Sequence, residues 1–181
     1  ANTTASNNTA VGKSALQANT TGTYNSALGK NALLSNTTGT ANVAVGGLAL
    51  DACTTGDDNV AVGYNSLSNL TTGNSCIAMG RAALNANTTG VANVAIGDQA
   101  LENNSTANNN AAFGHHALVT NTTGYNNVAV GNYCLRYNTE GFENVALNKN
   151  NELDTPRIIA SETNEFNLLG NTRSFGLELT L

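Results

Sequence analysis

The sequence predicts an all-β fold: a parallel β-solenoid of nine coils, each 17 residues long, followed by a short strand-containing tail. Three observations lead there. A glycine closes the phrase Asn-Val-Ala-Val-Gly, or a close variant, at Gly12, Gly29, Gly46, Gly63, Gly80, Gly97, Gly114 and Gly131, and the next step lands on Asn148. Every interval is 17 residues, with no insertion. Coils that stack must share one length if each residue is to sit above its counterpart, so a fixed period of this size marks a solenoid. Finally, the phrase alternates with period two and is rich in β-branched residues, which favours a short strand over a helix.

The units begin at Asn2, Asn19, Asn36, Cys53, Leu70, Asn87, Asn104, Asn121 and Asn138, and the ninth ends at Asp154. Each opens on Asn-Thr-Thr-Gly or a variant. This is turn chemistry: Asn and Thr bond locally to the backbone, and Gly supplies a positive φ. Ala5 and Ala107 stand in for that glycine, so the positive φ is not needed in those units. The strand phrase follows, and then a second extended piece carrying Ala-Leu, as at Ala32-Leu33 and Ala100-Leu101. Each coil is expected to hold two short strands and two turns. Stacked at about 4.8 Å, the coils make a rod roughly 43 Å long.

Alternation sorts the strand into two faces. One carries Val43 and Val45, Val60 and Val62, Ile77 and Met79, Val94 and Ile96, Val128 and Val130, with Ala111 beside Phe113. These vary among aliphatic types, as core positions do, and they are expected inside the coil with Leu16, Leu33, Leu50, Leu67, Leu84, Leu101, Leu118 and Leu135. The other face carries an asparagine series, the closing glycine, and an alanine series without exception: Ala10, Ala27, Ala44, Ala61, Ala78, Ala95, Ala112, Ala129 and Ala146. A stripe limited to Ala suggests another backbone at close range. Three aliphatic side chains per coil also make a thin core that association would reinforce. A homo-oligomer packed along the alanine stripe is the expectation.

The asparagine series runs Asn8, Asn25, Asn42, Asn59, Asn93, Asn110, Asn127 and Asn144, with Cys76 as its exception. Stacked amides that bond along the rod and simple turn caps both account for it.

The repeat domain is placed at 2–154 and the tail at 155–181. The only proline, Pro156, follows the last unit, and charge concentrates late in the chain, from Glu140 to Glu178. In the tail Phe175, Leu177, Leu179 and Leu181 alternate with Gly176, Glu178 and Thr180, an expected strand that acts as an intersubunit or capping element. A second short strand is expected around Arg157-Ile158-Ile159-Ala160.

Composition excludes several functions. The net charge is −5 with only seven Lys and Arg, and no basic stripe exists for nucleic acid. No apolar run approaches the roughly 20 residues of a membrane span. Low complexity often marks disorder, but disordered tracts do not hold an apolar pattern in register over nine units. Cys53, Cys76 and Cys134 occupy three different positions of the repeat, so they form no disulfide framework and read as small buried thiols.

No constellation supports catalysis, and neither a cofactor nor a metal is expected. His115 and His116 fall in a turn position held elsewhere by Lys13, Arg81 or Asp98. Metal binding by the pair on a trimer axis is the alternative, but no carboxylate accompanies them in a ligand pattern, so they read as a solvated loop. Asp57-Asp58 lacks the Gly- and Asp-rich pattern of calcium-binding rolls. Asn2, Asn19, Asn36, Asn69, Asn87, Asn104 and Asn121 begin glycosylation sequons that turn chemistry explains better.

Asn-Val-Ala-Val-Gly followed by a small residue and Leu, as at Asn42–Gly46 and Asn93–Gly97, resembles the head repeats of trimeric autotransporter adhesins, the YadA-like heads, and similar repeats in bacteriophage tail fibres. The resemblance spans roughly residues 2–148. It implies a left-handed β-roll, three chains around one axis, and an extracellular, cell-surface or virion location. The longer 17-residue repeat should enlarge an outer loop. The expected function is a non-enzymatic extracellular fibre module, a rod for adhesion or spacing, whose partners are itself as a homotrimer and a cell-surface receptor or glycan. Two alternatives compete: a filament subunit stacked head-to-tail through an open solenoid end and the C-terminal strand, and an ice-binding solenoid using threonine ladders such as Thr20, Thr37, Thr54, Thr71 and Thr88.

Overall fold

The computed structural model describes residues 4–147 and the strand at 158–160. Strands β1 (Thr9–Val11), β2 (Ser26–Leu28), β3 (Val43–Val45), β4 (Val60–Val62), β5 (Ile77–Met79), β6 (Val94–Ile96), β7 (Ala111–Phe113), β8 (Val128–Val130) and β9 (Val145–Leu147) lie side by side in chain order. All are parallel and in register by one repeat: Ala27 pairs with Ala44, and Ala44 with Ala61. The chain is a β-solenoid, as the period predicts. The β10 strand (Ile158–Ala160) then runs antiparallel along β9, with Ile158 opposite Ala146 and Ala160 opposite Val145. The strand expected near Arg157–Ala160 is therefore present at 158–160. The domain boundary at 154 and the alternating stretch Phe175, Leu177, Leu179, Leu181 lie outside the described residues.

Each coil holds one strand rather than two. The Ala-Leu piece is a run of overlapping turns: Ala32 N–H donates to Gly29 O, Leu34 N–H to Asn31 O and Asn36 N–H to Leu33 O, each at 3.3 Å. Asn31 and Leu33 have φ of 60° and 50°, the positive value that the third residue of a type II turn needs. The same pair recurs in every coil through Tyr133 and Leu135. A left-handed leucine costs about 1–2 kcal/mol. Full burial of its side chain returns roughly 1.5–3 kcal/mol, which offsets that strain. Leu33, Leu50, Leu67, Leu84, Leu101 and Leu118 are indeed completely buried. Their backbones still bond across coils, with Leu33 N–H to Ala49 O at 3.0 Å and Leu50 N–H to Ser66 O at 3.1 Å.

The two glycine columns serve different needs. Gly46 sits at φ 132°, and a Cβ there would lie 2.6 Å from Gly63 O, so both conformation and space demand glycine. Gly39, in the Asn-Thr-Thr-Gly turn, has no positive φ; a Cβ there would strike Gly56 O at 2.4 Å and Asn36 Oδ1 at 2.5 Å. The positive φ expected at this glycine falls two residues later, on Tyr24 and Ala41.

Two columns of the interior are asparagine. In the column before the strand, Asn25 Oδ1 accepts the Asn42 backbone N–H at 3.0 Å, while Asn42 Nδ2 donates to Gly56 O at 2.7 Å. This column thus binds the backbone of its neighbours. The column that opens each unit stacks amide on amide: Asn121 Nδ2 donates to Asn104 Oδ1 at 2.9 Å and to Gly124 O at 2.8 Å. The series expected before the strand does both: Asn144 Nδ2 also donates to Asn127 Oδ1 at 2.8 Å, amide on amide, while other bonds of the series reach backbone. A buried polar group without a partner costs about 1–3 kcal/mol, so the amides specify coil-to-coil register as well as fill space. Cys53, Cys76 and Cys134 are buried thiols outside any disulfide, as expected.

Candidate functional site

The alternation of the strand is real, but its faces are opposite to the expected ones. Ala44, Ala61, Ala78, Ala95, Ala112, Ala129 and Ala146 are 0% exposed, and Ala27 1%, while Ala10 in the first coil is exposed. From the second coil on, the alanine series therefore points into the coil, next to the asparagines and leucines. The expected oligomer contact along this stripe is corrected: a side chain closed off within its own coil has no surface to offer a second copy. The alanines belong to one buried cluster with the leucines and with Ala32, Ala49, Ala83, Ala100 and Ala117 of the turn runs.

The aliphatic residues stand outside. One column runs Thr9, Ser26, Val43, Val60, Ile77, Val94, Ala111, Val128, Val145, and the parallel one Val11, Leu28, Val45, Val62, Met79, Ile96, Phe113, Val130, Leu147. Met79 is 40% exposed, Phe113 38%, and Val62 and Ile96 37% each. No charge interrupts the two columns. From Val43 to Leu147 both columns are apolar, a ribbon of seven strands roughly 30 Å long and roughly 10 Å wide, on the order of 300 Å². The largest apolar patch of a monomeric protein is about 300–600 Å², and it often serves an interaction. Parallel strands are also normally covered on both faces. Here the inner face is covered by the coil itself and the outer face by nothing within the described residues.

Beside the ribbon, the turn after the strand gathers the charged and aromatic groups of neighbouring coils. Arg81 Nε lies 3.0 Å from Asp98 Oδ1, and Arg81 Nη2 lies 3.1 Å from Asp98 Oδ2. On the other side His115 Nε2 lies 3.7 Å from Asp98 Oδ2. The rings of His115 and His116 are 4.0 Å apart, and Tyr133 meets both edge-on. The Arg136 guanidinium stands over the rings of Tyr133 and Tyr137. Burial holds His116 below the ordinary imidazole range, and the neighbouring His115 and Arg136 add to it. No carboxylate accompanies the histidines in a ligand pattern along the chain, yet Asp98 is one coil away. The signal was present in the shared turn position of Asp98 and His115, 17 residues apart.

Other candidates resolve into structure. Asp57 Oδ1 accepts the Thr40 N–H at 2.7 Å and the Thr40 hydroxyl at 3.0 Å. Asn19, Asn36, Asn87, Asn104 and Asn121 are buried with Nδ2 donated to a carbonyl of their own turn, which fits turn chemistry rather than glycan attachment. The threonine column Thr20, Thr37, Thr54, Thr71 and Thr88 gives its hydroxyl protons to carbonyls of the next coil, as Thr37 Oγ1 does to Thr54 O at 3.0 Å. No described helix is long and apolar enough to cross a membrane.

Comparison with family models, with curated proteins and with solved structures returns no match.

Proposed function

We propose that the chain is a non-enzymatic module of an extracellular fibre, a stiff rod for adhesion or spacing, and that it assembles as a homotrimer. The uncovered apolar ribbon carries this reading. Its occupant must match a flat, charge-free strip that repeats every coil over seven strands. A second copy of the same strip has that period by construction, whereas an unrelated partner would have to supply it. Two columns also give each chain one flank for each of two neighbours, which suits three ribbons closing around an axis. The likeness of Asn42–Gly46 and Asn93–Gly97 to YadA-like heads and phage tail-fibre repeats supports the same assembly and an extracellular setting. For adhesion the partner is a cell-surface receptor or glycan, and for spacing none is needed.

The head-to-tail filament loses support, because β10 already occupies the backbone edge of β9 that a following coil would use. The ice-binding alternative also loses support, because the threonines that suggested it spend their hydroxyl protons within the rod.

Light scattering over a concentration series tests the proposal. A mass of three chains, unchanged on dilution, is expected. A stable monomer overturns the assembly, and open-ended polymers transfer the role to the filament.

A further inference from the structure

We propose that Asp98, His115 and His116 form a binding site for a divalent transition ion of the Zn²⁺, Co²⁺ or Ni²⁺ class. One carboxylate oxygen and one nitrogen from each ring all lie within 4.8 Å of one another. A tetrahedral ion with bonds of about 2.0–2.1 Å holds its ligands about 3.3 Å apart. The difference is within reach of small rotations, because these side chains stand on turns at the surface. Two imidazoles and one carboxylate suit borderline ions, while Mg²⁺ and Ca²⁺ prefer oxygen alone.

One nitrogen of each ring is already engaged. His115 Nδ1 lies 3.0 Å from Asn132 Oδ1, and His116 Nε2 lies 2.6 Å from Gln99 Oε1. An amide oxygen only accepts, so each of these nitrogens carries its ring's proton. The lone pairs are then left on His115 Nε2, which faces Asp98 Oδ2 at 3.7 Å, and on His116 Nδ1. Outer partners that set the tautomer and aim the ring are what metal-ligating histidines have. The site joins successive coils, since Asp98 and Gln99 lie one repeat before the histidines and Asn132 one repeat after. Arg81 is the competitor, because its guanidinium pairs with both oxygens of Asp98.

Calorimetric titration of the full chain with Zn²⁺, with Co²⁺ absorption as the geometric probe, tests this. One ion per chain is expected, with an intense Co²⁺ visible band and no displacement by Ca²⁺ or Mg²⁺. A His115→Ala/His116→Ala double variant should lose about 100-fold or more in affinity, and Asn132→Ala about tenfold, through the loosened ring. Arg81→Gln should tighten binding by freeing Asp98, a gain that misfolding cannot produce. Zn²⁺ binding weaker than millimolar in the parent, or unmoved in the double variant, overturns the site. An Arg81→Gln variant that binds no more tightly removes Asp98 from the ligand set.

Discussion

Asn36 and Cys53 stand one coil apart in the same amide ladder, and the ladder breaks between them. Asn36 Nδ2 donates to Asn19 Oδ1 at 2.9 Å and to Gly39 O at 3.0 Å. Its own Oδ1 is buried with no donor, because the position one repeat on holds a thiol instead of an amide. Cys53 turns its Sγ to Gly56 O instead, at 3.7 Å.

The substitution Cys53→Asn should restore the ladder. An amide there donates to Asn36 Oδ1 and to Gly56 O, as Asn121 does to Asn104 and Gly124. A gain of about 0.5–1 kcal/mol is expected, the usual net worth of a hydrogen bond, because the new Oδ1 stands before Leu70 and takes over the place of the orphaned acceptor. A higher Tm in thermal melts is the readout, and an unchanged or lower Tm refutes it.

The two faces of the strand predict opposite failures. Ala61→Leu puts extra volume inside a closed coil and should cost about 1–3 kcal/mol or more. Val62→Lys, next to it in sequence, points outward and should leave the far-UV spectrum intact. Paired with Ile96→Lys it should abolish self-association in light scattering, by placing charges on the ribbon. If the alanine variant dissociates the assembly while the lysine variant unfolds the chain, the faces are assigned the wrong way round.

Gly46→Ala should be among the most damaging single changes. A Cβ would lie 2.6 Å and 2.7 Å from the O and C of Gly63, both backbone atoms that cannot yield, at a φ that side chains rarely adopt. A loss of roughly 3 kcal/mol follows from strain and overpacking together. Equilibrium denaturation measures it.

Burial pushes the Cys53 thiol from 9.0 up to about 11, against a lowering by the Gly56 backbone. Its folded value thus lies above its unfolded one. The contribution is complete below pH 9.0 and is lost as pH rises toward about 11, because only the unfolded chain releases the proton readily. Chemical melts should show this loss in the parent and a shallower one in Cys53→Ser. At pH 8 a thiol reagent should label Cys53 no faster than the coil opens.

Much of the rod was legible in the residues. The 17-residue spacing of the glycines set the coil length, and the parallel register of Ala27, Ala44 and Ala61 follows directly from it. The turn glycines, the buried leucines and the short strand at 158–160 were also readable. The second strand was misread because Ala-Leu looks extended until the positive φ of Leu33 and Leu50 is known. Nothing in a leucine announces a left-handed backbone. The histidine cluster was missed because Asp98 is distant by local spacing and adjacent only when the chain is read one coil at a time.

By itself the sequence determined the repeat, the one-coil register and the chemistry of each column, because a strict period allows only one way to stack. It could not determine which face of the strand is inside. A period of two separates alanine from valine equally well in either sense, and invariance signals confinement without saying on which side. Only the tertiary structure decided that. The coil closes over its alanines, leucines and amides, and valine, isoleucine and methionine are left outside.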